Sequence, residues 1–197
     1  MPTSPARPLV LASTSVYRKE LLGRLRLPFH TAKPETDESA LPGEAPRTLA
    51  LRLAEAKARA VANAFPGALV IGSDQVAWAG EKVYGKPGSR DRAVAQLQEL
   101  SGQVAYFDTA LCLLDTATGR AETVCVPTET RFRNLTTGEI ERYVDADLPL
   151  DCAGAAKSES LGVALLEYMR SDDPTALIGL PLIELCRLLR AAGVQVP

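Results

Sequence analysis

The chain has 197 residues, 22 Lys and Arg against 24 Asp and Glu, a formal charge of −2, and 46% apolar and 23% charged residues. That composition fits a globular chain with a real core; it excludes a disordered tail, a collagen-like fibre and a disulfide scaffold, and it argues against a generally basic nucleic-acid sheath while leaving room for a local basic patch. A single histidine removes multi-histidine metal sites and leaves almost no room for histidine-driven acid–base chemistry.

Four cysteines, Cys112, Cys125, Cys152 and Cys186, form no CxxC pair, so buried reduced thiols are expected. Met1 to Pro8 is followed by only four apolar residues, Leu9 to Ala12, too few for a signal peptide. No stretch approaches the roughly 20 apolar residues of a membrane span. A cytoplasmic protein with one domain over residues 1–197 is the expectation.

In chain order, Leu9–Ala12 predicts a short buried strand, ended by Ser13-Thr14-Ser15. Helical spacing follows from Val16 to Leu25 with Leu21, Leu22 and Leu25 on one side, and Ser15 or Ser13 can cap its start. A strand, a polar turn and a helix N-terminus form an anion site in principle, and Arg18 adds charge to it. Residues 35–46 are acidic and interrupted by Pro and Gly, hence a loop. A long helix is predicted from Arg47 to Phe65, with Leu49, Leu53, Ala56, Ala60 and Ala64 as its packed face. Leu69–Gly72 predicts a buried strand that delivers Ser73-Asp74-Gln75 at its end.

Turns are expected at Gly80 and over residues 85–88, then a helix from Ser89 to Leu100 with Ala93, Leu97 and Leu100 inward. Val104–Leu114 and Glu122–Phe132 read as an antiparallel pair around Thr118-Gly119. Thr136 with Glu139 forms a capping box for a helix to Val144. Cys152 to Glu159 is a loop, Val163–Leu166 a strand, and Pro181 opens a final helix that ends near Ala192 before Gly193. Helices alternate with strands around one hairpin, which predicts a mixed α/β fold with a cleft between two lobes rather than two separable domains.

The polar residues cluster where strands end. Arg18, Lys86 in a Gly/Pro turn and Lys157 in a polar loop would suit a polyphosphate, and Glu38 and Asp74 could offer hard oxygen ligands to Mg²⁺. Each alone is also consistent with a solvated surface charge. No GxxxxGK[ST], GxGxxG or GxSxG motif occurs, which removes support for a P-loop ATPase, a Rossmann dehydrogenase or a serine hydrolase elbow. His30, beside Pro28-Phe29, reads as a local structural residue. Aromatic residues make up 5% and are not interleaved with basic ones, which argues against an RNA surface.

The run Leu11-Ala12-Ser13-Thr14-Ser15-Val16-Tyr17-Arg18 with Glu20-Leu21-Leu22 resembles the opening signature of the Maf family of nucleotide pyrophosphatases. Matching blocks follow in order: Asp37-Glu38, Leu53 to Ala58, Gly72 to Gln75, Gly85-Lys86-Pro87, Cys152 to Glu159 and Ile178 to Pro181. The resemblance implies an elongated, twisted mixed sheet flanked by helices, with two lobes around a central nucleotide cleft. It implies a cytoplasmic, metal-dependent enzyme that splits a nucleoside triphosphate between the α and β phosphates, with Mg²⁺ or Mn²⁺ as cofactor. A nucleotide substrate, no membrane or stable nucleic-acid partner, and a homodimer complete the expectation.

By the same resemblance the proton-accepting carboxylate falls on Asp74. Phosphate- and metal-site roles fall on Ser13, Arg18, Glu38, Lys57 and Lys86; Lys157 remains an additional phosphate candidate from its polar loop alone. Base choice falls on Tyr17, Gln75 and Glu159. Gln75 and Glu159 match the branch active on 7-methyl-GTP, whereas tyrosine replaces that branch's usual tryptophan. The alternatives are a dTTP/UTP pyrophosphatase and a nucleotide-binding regulator of cell division.

Overall fold

The computed structural model describes residues 7–196, so the ends of the predicted 1–197 domain and most of the Met1 to Pro8 segment lie outside the described residues. Among the described residues there are seven strands and five α-helices: β1 Leu9–Ala12, α1 Val16–Gly23, β2 His30–Ala32, α2 Pro46–Ala62, β3 Leu69–Ala79, β4 Lys82–Tyr84, α3 Arg90–Leu100, β5 Val104–Asp115, β6 Ala121–Phe132, α4 Thr137–Asp147, β7 Leu166–Ser171 and α5 Leu182–Ala191. The strands form one mixed sheet in the order β2-β1-β3-β5-β6-β7, with β4 attached to β3. β1 runs parallel to β2 and β3, while β3–β4 and β6–β7 are antiparallel. The expected α/β class with a mixed, helix-flanked sheet is what the chain adopts.

The chain divides into two compact units. One contains the residues up to Asp74, Thr109–Val126 and the chain from Asp173; the other contains Gln75–Asp108 and Pro127–Asp172. In the first unit, Leu9 and Leu11 of β1, Leu69 and Ile71 of β3, Leu21 and Leu22 of α1, Leu111 and Leu113 of β5 and Leu185, Leu188 and Leu189 of α5 share one apolar cluster. In the second, Leu97 and Leu100 of α3, Phe107 of β5, Phe132 of β6 and Ile140 and Val144 of α4 are buried.

Gly72 brings α2 against β3. A Cβ there would lie 2.1 Å from the Ala54 carbonyl oxygen and 2.8 Å from the Ala58 nitrogen. No side chain fits that gap, so helix and strand touch backbone to backbone.

Several expectations need correction. The strand around Asp74 does not end there: β3 continues to Ala79, and what ends at Gly72 is its parallel pairing with β1, whose last register is Ala12 opposite Gly72. The buried stripe of α2 is Leu49, Ala50, Leu53, Ala54, Lys57, Ala58 and Val61, not the line through Ala56, Ala60 and Ala64. Alanine packs or faces water with little penalty, so it misleads about the face; the large side chains Leu49, Leu53 and Val61 decide it. The predicted Val163–Leu166 strand is instead a short 3₁₀ turn over Leu161–Leu165, and β7 starts at Leu166. Gly162 donates its N–H to the Lys157 carbonyl, and a Cβ there would lie 2.4 Å from that oxygen, so the chain is folded back too tightly for a strand. β2 and β4 are three residues each and gave no periodic signal. The Thr136–Glu139 capping box of α4 and the inward set Ala93, Leu97 and Leu100 of α3 are as expected.

Replacing Gly72 by alanine should lower the unfolding free energy by about 1–3 kcal/mol, the usual cost of overpacking. Urea denaturation measures it; an unchanged midpoint would show that α2 does not rest on this glycine.

Candidate active site

The centre of the first unit is a lysine among apolar side chains. Lys57 lies on the α2 stripe between Leu53 and Val61, and its side chain is 8% exposed. Burying an ammonium costs several kcal/mol unless charge and hydrogen bonds compensate it, by order of magnitude. Two carboxylates do so: Nζ lies 2.6 Å from Asp74 Oδ1 on β3 and 2.6 Å from Glu38 Oε1 in the loop before α2. Asp74 is itself buried, whereas Glu38 is exposed. One cation therefore draws two carboxylates from separate segments to a single point.

Arg18 on α1 supplies a second cation. Burial holds its guanidinium below the ordinary arginine value, while the Asp74 and Glu38 carboxylates work against that shift. Its Nε donates to the Gly179 carbonyl at 2.8 Å, and Ser73 Oγ lies 2.8 Å from Ala110 O and 3.0 Å from that same Gly179 oxygen, both within reach of its single O–H. Ser13 and Ser15 shape the turn before α1: Ser13 Oγ accepts from Ser15 N, and Ser15 Oγ accepts from Arg18 N. Ser13, Arg18, Glu38, Lys57 and Asp74 thus lie in one unit, and Tyr17 is beside Arg18 on α1.

The other candidates belong to the second unit. Gln75 directly follows Asp74 and is half-buried; Lys86 is exposed in the turn between β4 and α3. Lys157 has a structural partner: its Nζ donates to the carbonyls of Asp147 and Leu148 at 2.7 and 3.3 Å, compensating the C-terminal end of α4. Glu159 is exposed, and partial loss of solvation raises its carboxyl above the ordinary value; nearby Asp147 and Asp151 add to the rise and Lys157 opposes it.

Some residues of these surroundings carried no sequence signal. Gly179 acts through its carbonyl, which no side-chain pattern reveals. Asp173 is 1% exposed and accepts from Thr175 N, Thr175 Oγ1 and Ile183 N, thereby fixing the start of α5. Trp78 stacks on Tyr106 with centroids 4.6 Å apart and donates its indole N–H to buried Asp108. A lysine at the i, i+4 spacing of Leu49, Leu53 and Val61 was a visible signal for Lys57.

No group of three or more His, Cys, Asp or Glu able to hold a metal occurs among the described residues. Two convergent carboxylates without histidine or thiolate fit a hard divalent cation that takes the rest of its shell from water and phosphate, as Mg²⁺ does. None of the four cysteines is in a disulfide, and no helix among the described residues is long and apolar enough to cross a membrane.

A family model described as Maf-like protein matches residues 8–192. A protein of Polaromonas sp. named 7-methyl-GTP pyrophosphatase is 57% identical over 98% of this chain and 88% of its own length. Proteins of the same name from Albidiferax ferrireducens and Nitrosococcus oceani are 54% and 52% identical, covering 96% and 98% of both chains.

Replacing Lys57 by methionine leaves the Asp74 carboxylate buried without its counter-ion. Loss of one partner of a buried pair costs about 3–5 kcal/mol. Urea denaturation at pH 7 should show a loss of that order, and the further change Asp74→Leu should recover most of it. A neutral Lys57→Met variant would remove the pair as the organising contact.

Proposed function

The chain belongs to the Maf-like protein family, and from that premise we propose that it hydrolyses 7-methyl-GTP to 7-methyl-GMP and diphosphate. The observation that carries this reading is the Lys57 ammonium held between Glu38 and Asp74, with Arg18 beside them. The names of the relatives support the substrate, and the donor set supports the phosphate chemistry.

Water attacks the α-phosphorus, the P–O bond to the bridging oxygen breaks, and its electron pair leaves with diphosphate. Asp74 accepts the proton of the attacking water where it is not itself a metal ligand, because a metal-bound carboxylate is a poor base. Arg18, Lys57 and Lys86 neutralise charge on the α-phosphoryl oxygens and the leaving diphosphate, a contribution greatest where charge grows in the transition state. Ser13 and the N–H groups at the start of α1 suit a phosphate oxygen. Glu38 and Asp74 would hold Mg²⁺ or Mn²⁺, which when bound polarises phosphoryl oxygens and offsets their charge.

Base preference is assigned to Tyr17, Gln75 and Glu159. Methylation at N7 makes the guanine ring cationic, and an aromatic face stabilises such a cation by roughly 0.5–2 kcal/mol. The Glu159 carboxylate can accept from the guanine N1–H and N2–H₂ edge, whereas uracil and thymine offer only one donor there. Four cysteines with no disulfide between them fit a reducing cytoplasm. The resemblance also carries a homodimer, and no stable nucleic-acid partner is part of the proposal.

Diphosphate release across 7-methyl-GTP, GTP, UTP, CTP and dTTP, with and without Mg²⁺ or Mn²⁺, tests the proposal. 7-methyl-GTP should have the highest kcat/KM; a preference for dTTP and UTP would reassign the substrate, and release from none would remove the activity. Asp74→Asn should lose at least about a hundredfold in kcat while remaining folded, the lower scale of losing a positioned general base. Near-normal kcat would sink its assignment. Glu159→Gln should reduce kcat/KM for 7-methyl-GTP more than for UTP, and equal losses would deny it a part in base choice.

A further inference from the structure

Glu38 is exposed and sits in a segment, residues 33–45, that has no helix or strand. Such a carboxylate would sample many positions unless the chain around it were tied down, since each unconstrained residue retains about 1–2 kcal/mol of backbone entropy. The tie comes from α2, the helix that also carries Lys57. Arg52 Nε donates to Glu44 Oε1 at 2.7 Å and Arg52 Nη2 to Glu44 Oε2 at 2.7 Å, a two-pronged bond. The same Nη2 donates to the Ser39 carbonyl at 2.9 Å, one residue beyond Glu38.

The loop closes on this fork. Glu44 Oε2 also accepts from Leu41 N at 3.0 Å, Glu44 N donates to Leu41 O, and Asp37 Oδ1 accepts from Ser39 N at 2.9 Å. The Glu44 side chain is only 5% exposed, unlike the partners of an ordinary surface ion pair. Hydrogen bonding to Arg52 holds its carboxyl at about 2, so the fork is charged on both sides throughout neutral pH. Two cations of α2 therefore fasten one loop: Arg52 at Ser39 and Glu44, and Lys57 at Glu38.

We infer that Arg52, through its fork to Glu44 and its bond to the Ser39 carbonyl, is a positioning residue that holds Glu38 at the Lys57–Asp74 centre. The inference rests on the proposed part of Glu38 in metal and phosphate chemistry. Arg52 acts only through Glu38, so its effect must disappear once the Glu38 carboxylate is gone. Lysine cannot replace it, because one ammonium cannot span both Glu44 oxygens and the Ser39 carbonyl in the same planar geometry.

The test is a double-mutant cycle of Arg52→Gln and Glu38→Gln in the full chain, accompanied by hydrogen exchange and Mn²⁺ binding. Arg52→Gln should speed exchange of the Ser39 and Leu41 amides at least tenfold. It should weaken Mn²⁺ binding, read by electron paramagnetic resonance, and raise the Mg²⁺ concentration for half-maximal turnover by about 10–100-fold, the scale for partners that orient metal ligands. In the Glu38→Gln background the same change should cause no further loss of kcat/KM. Unchanged loop exchange, unchanged Mn²⁺ affinity, or an equal loss in both backgrounds would overturn the inference. If Arg52→Gln does not fold, Glu44→Gln removes the fork from the other side and is judged by the same readouts. Absence of diphosphate release from the wild-type protein would defeat the functional proposal alone, leaving exchange and Mn²⁺ affinity to decide the role of Arg52.

Discussion

One ammonium on the buried stripe of α2 organises the centre. Lys57 cannot remain there without negative charge, and Asp74 cannot remain buried on β3 without positive charge. Their contact satisfies both, and the attraction of Glu38 to the same nitrogen brings in a carboxylate from an irregular segment. The close packing at Gly72 is what lets the helix carrying Lys57 lie against the strand carrying Asp74. Helix–strand packing and the charged centre are thus one problem solved two residues apart on β3, at Gly72 and Asp74.

Under the proposed function, that arrangement supplies catalytic groups to a chain with one histidine. His30 is exposed on the short β2 strand and takes no part in the centre. Two carboxylates, a lysine and an arginine stand where an anionic substrate would need both cation-holding oxygens and positive donors. A hard cation needs only a few carboxylate oxygens when phosphate supplies the others. The near-zero net charge of the chain conceals this local alternation of sign.

Much of the fold was legible because large apolar residues repeat with a clear period. Leu21 and Leu22, Ala93, Leu97 and Leu100, and the Thr136 capping box all marked their elements correctly. Alanine-rich α2 was harder, since Ala56 and Ala60 resemble Ala54 and Ala58 until a neighbouring strand chooses between them. The turn before β7 was hidden for a similar reason: Val163-Ala164-Leu165 has strand-like composition, but its shape is set by the contact of Gly162 with the Lys157 backbone. Within the centre, charged residues at motif positions were visible. The Arg52 fork and the Gly179 carbonyl were not, because an arginine on a helix has many partners in prospect and a carbonyl has no sequence identity.

The common premise of the centre is water attack at the α-phosphorus. Hydrolysis of 7-methyl-GTP by the wild-type protein in oxygen-18 water, followed by mass spectrometry of both products, tests it most directly. Label is expected in 7-methyl-GMP and absent from diphosphate. Label in diphosphate would place the attack on the β-phosphorus and contradict the roles given to Asp74, Glu38 and Lys57.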